Sequence, residues 1–134
     1  MHQMRRILFF VGFALLVTHE LDAMTHAEWH LLPILSSLED ELARQVFVAA
    51  HVPLIALLSW LVSHRSEVVR RRSQLGVDVF LLFHAFIHVL TASHPLYHFD
   101  SGLSQFLIFS GGLCGLAHLG LELRQPLAER TAKG

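Results

Sequence analysis

A single cysteine, Cys114, stands in an apolar run of this 134-residue chain, so no internal disulfide can form and no thiolate-rich metal site can be built. Any metal held here must take nitrogen and oxygen ligands. Charge is scarce as well: Asp, Glu, Lys and Arg make up 16% of the residues, against about a quarter in soluble domains. The ten basic residues nearly balance the eleven acidic ones, for a formal net charge of -1, and this leaves no basic footprint for a nucleic acid. No internal repeat or low-complexity segment is visible. What the chain has instead is 53% hydrophobic residues, a mean hydropathy of +0.49 and eleven histidines.

A helix needs ~20 mostly apolar residues to cross ~30 Å of hydrocarbon, and segments 45–63, 79–99 and 101–121 contain no Asp, Glu, Lys or Arg. The first apolar run, 7–18, is shorter and spans only if it continues through His19, Glu20 and Asp22 towards Met24. That continuation puts ionisable groups at membrane depth. Arg5 and Arg6 before an apolar core also suit a signal peptide. We read the segment instead as a retained span, because the basic residues support an even number of crossings. The chain is thus expected to be one all-α transmembrane domain over 1–134, a four-helix bundle with spans near 6–25, 44–63, 77–93 and 102–123. The stretch from Thr25 to Pro33, with Trp29 among alternating His and Glu, is expected to form a short interfacial helix or re-entrant turn. Gly111, Gly112, Gly115 and Gly120 offer small faces for close packing of the fourth helix.

Basic residues fix the orientation. Arg5 and Arg6 precede the first span, Arg65, Arg70, Arg71 and Arg72 lie between the second and third, and Arg124, Arg130 and Lys133 follow the fourth. Only Arg44 falls on the other side. This pattern places both termini in the cytoplasm of a bacterial inner membrane, with the acidic Glu39-Asp40-Glu41 loop outside.

Depth then sorts the histidines. At ~1.5 Å per residue, His19 lies roughly 8 Å inside the outer boundary, His51 about 10 Å, His88 about 7 Å and His84 about 13 Å. Three helices therefore bring imidazole to one level, with Glu20 beside His19. His84 and His88 share a helix face at i, i+4. Ionisable groups in hydrocarbon are rare, face the bundle interior and have partners. Imidazole with carboxylate suits a transition metal, and bundles with inward Glu and His build such sites. The expected ligands are His19, Glu20, His51, His84 and His88, with His26, Glu28, His30 and His98 at the boundary as a second rank. Iron or zinc is the expected ion, one or two in number, with haem the alternative. The bland readings keep His118 as a hydrogen-bonding group well below this level, His2 and His64 as solvated surface residues, and Asp22 and Asp78 as helix-end residues.

The run Thr18-His19-Glu20-Leu21-Asp22-Ala23, then Glu28-Trp29-His30, His51-Val52-Pro53-Leu54 and His84-Ala85-Phe86-Ile87-His88, resembles a family of small bacterial four-span membrane proteins classed only as a domain of unknown function. The resemblance covers about 9–121 and implies the four-helix fold, with His19, Glu20, Glu28, Trp29, His51, His84 and His88 as its pattern. It implies no activity.

Four functions fit these residues. A membrane metalloprotein, as an oxidoreductase or hydrolase acting on a lipid-soluble substrate, uses both the histidines and the carboxylates. A haem or quinone electron-transfer protein uses paired histidines and leaves Glu20 and Glu28 idle. An accessory subunit of a larger membrane complex uses the polar cluster for internal hydrogen bonds alone. A metal or proton carrier needs a polar path to the cytoplasm, which only His118 offers. The expected partners are the lipid bilayer and a larger complex or a second copy of the chain, with no nucleic acid.

Cysteine labelling tests the orientation. A cysteine at position 40 should react with an impermeant reagent from outside the cell, and one at position 72 only after the membrane is opened. Labelling of position 40 from the cytoplasm alone would reverse the assignment.

Overall fold

A computed structural model describes the backbone of residues 2–131 and the side chains of residues 3–124. The side chains of His2, Arg130 and Lys133, which the sequence places at the cytoplasmic surface, lie outside the described residues. Helices α1 (His2–Thr25), α2 (Asp40–Val62), α3 (Glu67–Thr91) and α4 (Gly102–Thr131) follow one another, with two 3-10 turns, Glu28–His30 and Leu35–Ser37, between the first two. No strand occurs among the described residues. Four helical segments, Gln3–Thr25, Asp40–Val62, Glu67–Thr91 and Gly102–Arg124, are long and apolar enough to cross a membrane. Their outward faces are apolar: Val52 is 72% exposed and Leu113 66%. A water-soluble bundle would bury such a surface.

Each helix start carries a local reason. Glu39 accepts a hydrogen bond from the Leu42 N–H at 3.1 Å and caps α2, and Asp40 and Glu41 sit in its first turn, where the helix dipole favours negative charge. Arg44, the lone basic residue on the acidic side, pairs with Glu41 at 2.6 Å. Helix α3 begins at Glu67, some ten residues before the span expected near 77–93. Counting uncharged residues finds only the apolar part of a helix, and α3 continues past it through Arg70, Arg71 and Arg72. Asp78 is therefore not a helix-end residue: it stands inside α3 and is 1% exposed.

Helix α4 packs closely against both α1 and α3, while α2 lies more loosely against α1 and α3. Small residues set the close approach. A methyl group on Gly115 would stand 3.0 Å from the Asp78 carbonyl oxygen, one on Gly112 3.1 Å from Ala85 Cβ, and one on Gly12 3.0 Å from Cys114 Cβ. Gly120, expected to belong to the same face, has nothing within 4 Å. Two apolar cores result. One contains Phe9, Leu16, Val62, Val77 and Leu81 towards the terminal ends of the bundle. The other gathers Ala23, Trp29, Ala43, Phe47, Phe99 and Ile108 towards the α1–α2 connection.

The contrast between two glycines tests this packing. Gly120→Ala should raise thermal stability in detergent slightly, because Ala is favoured over Gly by about 1 kcal/mol within a helix. Gly115→Ala should lower it, since the α3 backbone blocks the added carbon. Equal effects of the two changes would argue against close α3–α4 packing.

Candidate metal centre

Three imidazoles meet where α1 passes α3. His19 is 1% exposed and His88 3%; the His19 ring centroid lies 4.8 Å from that of His84 and 5.0 Å from that of His88. The helical i, i+4 spacing puts His84 and His88 on one face, and their Nε2 atoms approach to 3.1 Å. Two nitrogens bound at ~2.1 Å to one ion stand about 3.0–3.4 Å apart, so this separation already suits shared ligation. A carboxylate completes the set from the connection after α1. Ala27 adopts the left-handed conformation, φ 53° and ψ 46°, which is sparsely populated for a residue with a side chain. The chain reverses there and carries Glu28 back over the helix ends. Single ligand atoms of His19, Glu28, His84 and His88 then lie within 4.8 Å of one another.

The surroundings orient these rings. His88 Nδ1 stands 3.2 Å from the Tyr97 hydroxyl. A hydrogen on Nδ1, donated to the Tyr97 oxygen, leaves the Nε2 lone pair facing His84, as outer hydrogen bonds commonly fix a ligand's tautomer. Burial pushes the Tyr97 hydroxyl above its ordinary pKa, so it remains an intact O–H near neutrality. Phe99, fully buried, packs its ring against His19 at 5.4 Å, His88 at 5.0 Å and His26 at 5.1 Å. Both ring nitrogens of His19 are buried and lack a hydrogen-bond partner among the described residues. Such a group is costly in a low-dielectric interior unless something coordinates it.

Glu20 and His51 form a separate pair beside this cluster. His51 Nδ1 lies 2.6 Å from the Phe47 carbonyl oxygen, and its Nε2 lies 2.9 Å from Glu20 Oε2. A carbonyl only accepts, so Nδ1 carries a hydrogen. Both His51 nitrogens are thus engaged. Beside this pair, burial first, then Glu20, push the Glu28 carboxyl up to about 7, against a downward pull from His51.

The structure thus brings His19, His84 and His88 together, sets Glu20 with His51 alongside, and draws in Glu28 from the second rank. His26 turns to the rim, 3.3 Å from Asp22, whose other carboxylate oxygen is buried without a partner among the described residues. His30 joins the Trp29 indole N–H on Asp40 Oδ1, at 2.7 and 2.9 Å, and this ties the connection carrying Glu28 to the start of α2. His98 is exposed. His64 is half-buried, with Nδ1 accepting from the Ser66 N–H. His118 belongs to another network, with Nδ1 2.6 Å from Asp78; Glu122 lies nearby and receives Arg5 at 3.1 Å and Arg71 at 2.8 Å. Tyr97 and Phe99 had no sequence signal as site residues, because segment 92–101 carries no periodicity to give them a depth.

The chain belongs to a family of unknown function (DUF6713), whose model matches residues 5–125. No curated protein and no solved structure matches it.

The raised Glu28 pKa has a measurable sign in metal-free protein. A carboxyl lifted from 4.5 to about 7 by folding favours the fold below the lower value and loses that advantage as pH rises through the upper one. Relative to Glu28→Gln, chelator-treated protein should become progressively less stable between about pH 5 and pH 7 and stay level above. Thermal unfolding in detergent reads the difference, and a constant gap between the two proteins would mean that Glu28 is solvated in the fold.

Proposed function

We propose that this chain is a membrane-embedded metalloprotein in which His19, Glu28, His84 and His88 hold a transition-metal ion in the outer half of the bundle, both termini facing the cytoplasm of a bacterium. The observation that carries the reading is the convergence of three imidazoles and a carboxylate within 4.8 Å, one of those imidazoles having both nitrogens buried and unpartnered among the described residues. At ~2.1 Å bonds the farthest ligands of one ion stand about 3.4 Å apart when it is tetrahedral and about 4.2 Å when octahedral, so the most distant side chains close by roughly 0.6–1.4 Å on binding. Imidazole and carboxylate without thiolate favour iron or zinc over magnesium or calcium. The family resemblance and the arginine distribution support the bacterial membrane and the orientation.

When bound, such an ion supplies Lewis acidity or, for iron, one-electron chemistry. The protein's own contribution lies beside it. The hydrogen-bonded Glu20–His51 pair stands at the edge of the cluster, the arrangement expected of a general acid or base. An oxidoreductase or hydrolase acting on a lipid-soluble substrate uses both parts. Haem ligation by His51 with His84 or His88 is less well supported, since both His51 nitrogens are already engaged, Nδ1 by the Phe47 carbonyl at 2.6 Å and Nε2 by Glu20 at 2.9 Å.

Elemental analysis of protein purified in mild detergent, from cells supplied with iron, zinc, copper and manganese, tests the assignment. Parent protein should carry transition metal near stoichiometry. His19→Ala, His84→Ala, His88→Ala and Glu28→Gln should lose most of it, and Tyr97→Phe should weaken retention by about 10-fold. His118→Ala and His64→Ala should retain the parent content. Metal-free parent protein, or loss confined to His118→Ala, would overturn the proposal, and a bound haem would replace it with the electron-transfer reading.

A further inference from the structure

Between α1, α2 and α3 runs a cavity of about 360 Å³, at the low end of the ~300–1,000 Å³ range for small-molecule sites. Apart from Glu20 and Ser73 its wall is apolar, with Phe13 and Leu16 from α1, Leu54 and Leu58 from α2, and Val77 and Phe80 from α3. At ~1.5 Å per residue, the stretches that each helix contributes extend about 10 Å along the helix axes. One end of this wall bears a carboxylate, Glu20, whose Oε2 is engaged by His51 and whose side chain is 17% exposed. Glu20 is the only charged group among its lining residues.

Gly76, inside α3, lines the open side of this cavity: it is exposed, and a methyl group built on it would meet nothing within 4 Å. Glycine within a helix costs roughly 0.5–1 kcal/mol relative to alanine. Unlike Gly112 and Gly115, Gly76 allows no close helix approach in return. What it keeps open is the cavity.

We infer that this cavity binds a single hydrocarbon chain ending in a hydroxyl, with the chain along α1–α3 and the hydroxyl donating to Glu20. The apolar wall selects the chain, and the carboxylate oxygen at its end selects a hydrogen-bond donor. A neutral donor suits a low-dielectric pocket, where an ammonium end would lose its hydration. The inference rests on the metalloprotein reading in one respect: it makes the hydroxyl end of the chain the part presented to the cluster.

Photolabelling of the detergent-purified full chain with a diazirine-bearing dodecanol tests it. Adducts should concentrate on peptides containing Leu54 to Leu58 and Val77 to Phe80, and excess dodecanol should compete about three- to tenfold better than dodecane, the range of one net hydrogen bond. Glu20→Leu should erase that preference. Gly76→Phe, whose side chain enters open space, should abolish the competed labelling while metal content stays at the parent level. Labelling spread evenly over the outward faces, equal competition by dodecane, or unchanged labelling of Gly76→Phe would each overturn the inference. Metal-free protein that still shows the competed, Gly76-sensitive labelling would sink the metalloprotein reading and leave the cavity assignment standing. Metal-loaded protein without such labelling would do the reverse.

Discussion

The rest of the structure depends on burying imidazole where water cannot reach it. A polar group moved from water into an apolar environment without a partner costs roughly 1–3 kcal/mol on mutational scales and more in hydrocarbon. His19 carries two such nitrogens at 1% exposure. Alanine or leucine at this position would serve packing at lower cost, so its presence calls for a compensating ligand. The neighbouring features tend the same way. His84 and His88 face it from α3, Glu28 is brought over it by a left-handed residue, and Phe99 excludes solvent from one side.

A second constraint operates at the terminal end of the bundle, and there most of it is met internally, with one Asp78 oxygen, Oδ1, buried without a hydrogen-bond partner among the described residues. Asp78 and His118 hydrogen-bond at 2.6 Å, and Glu122 gathers Arg5 from α1 and Arg71 from α3. Charges and partners there come close to balance, which is how buried ionic groups persist. Two sets of polar groups occupy one small bundle, and in the set at His19 one ring has neither nitrogen partnered among the described residues. The Asp78–His118–Glu122 network joins α1, α3 and α4, while beside the His19 cluster Glu20 of α1 meets His51 of α2, the helix held least tightly.

The positions of His19, His84 and His88 were legible because helical rise is constant. Once the charge-free runs fix where the helices cross, depth follows by counting, and i, i+4 spacing gives the shared face. The same counting placed His51 at this level, but depth says nothing of azimuth. His51 turns towards Glu20 and the Phe47 carbonyl, a matter of how α2 is rotated. Glu28 was ranked behind Glu20 because its place depends on the conformation of Ala27, and no propensity marks an alanine for the left-handed region. Tyr97 and Phe99 lie in a segment without regular structure, where side-chain direction follows tertiary contacts alone. Asp78 was misplaced for another reason. The arginines of 70–72 suggested a loop, whereas a helix can carry them beyond the hydrocarbon and still begin at Glu67.

Glu20 stands between the His19 cluster and the apolar cavity. Its neighbour in sequence, His19, points to the cluster, whereas its own carboxylate meets His51 and closes the apolar cavity. Residues one apart on a helix diverge by about 100°, so adjacent positions can serve two different spaces. A chain bound in the cavity would then end beside the Glu20–His51 hydrogen bond, with Glu28 close enough to feel the Glu20 charge. Loose packing of α2 fits this arrangement better than a tight bundle would. A ligand entering from lipid needs a wall that can part, and among these helices α2 is the one that neither the glycine contacts nor the Asp78–His118–Glu122 network holds in place.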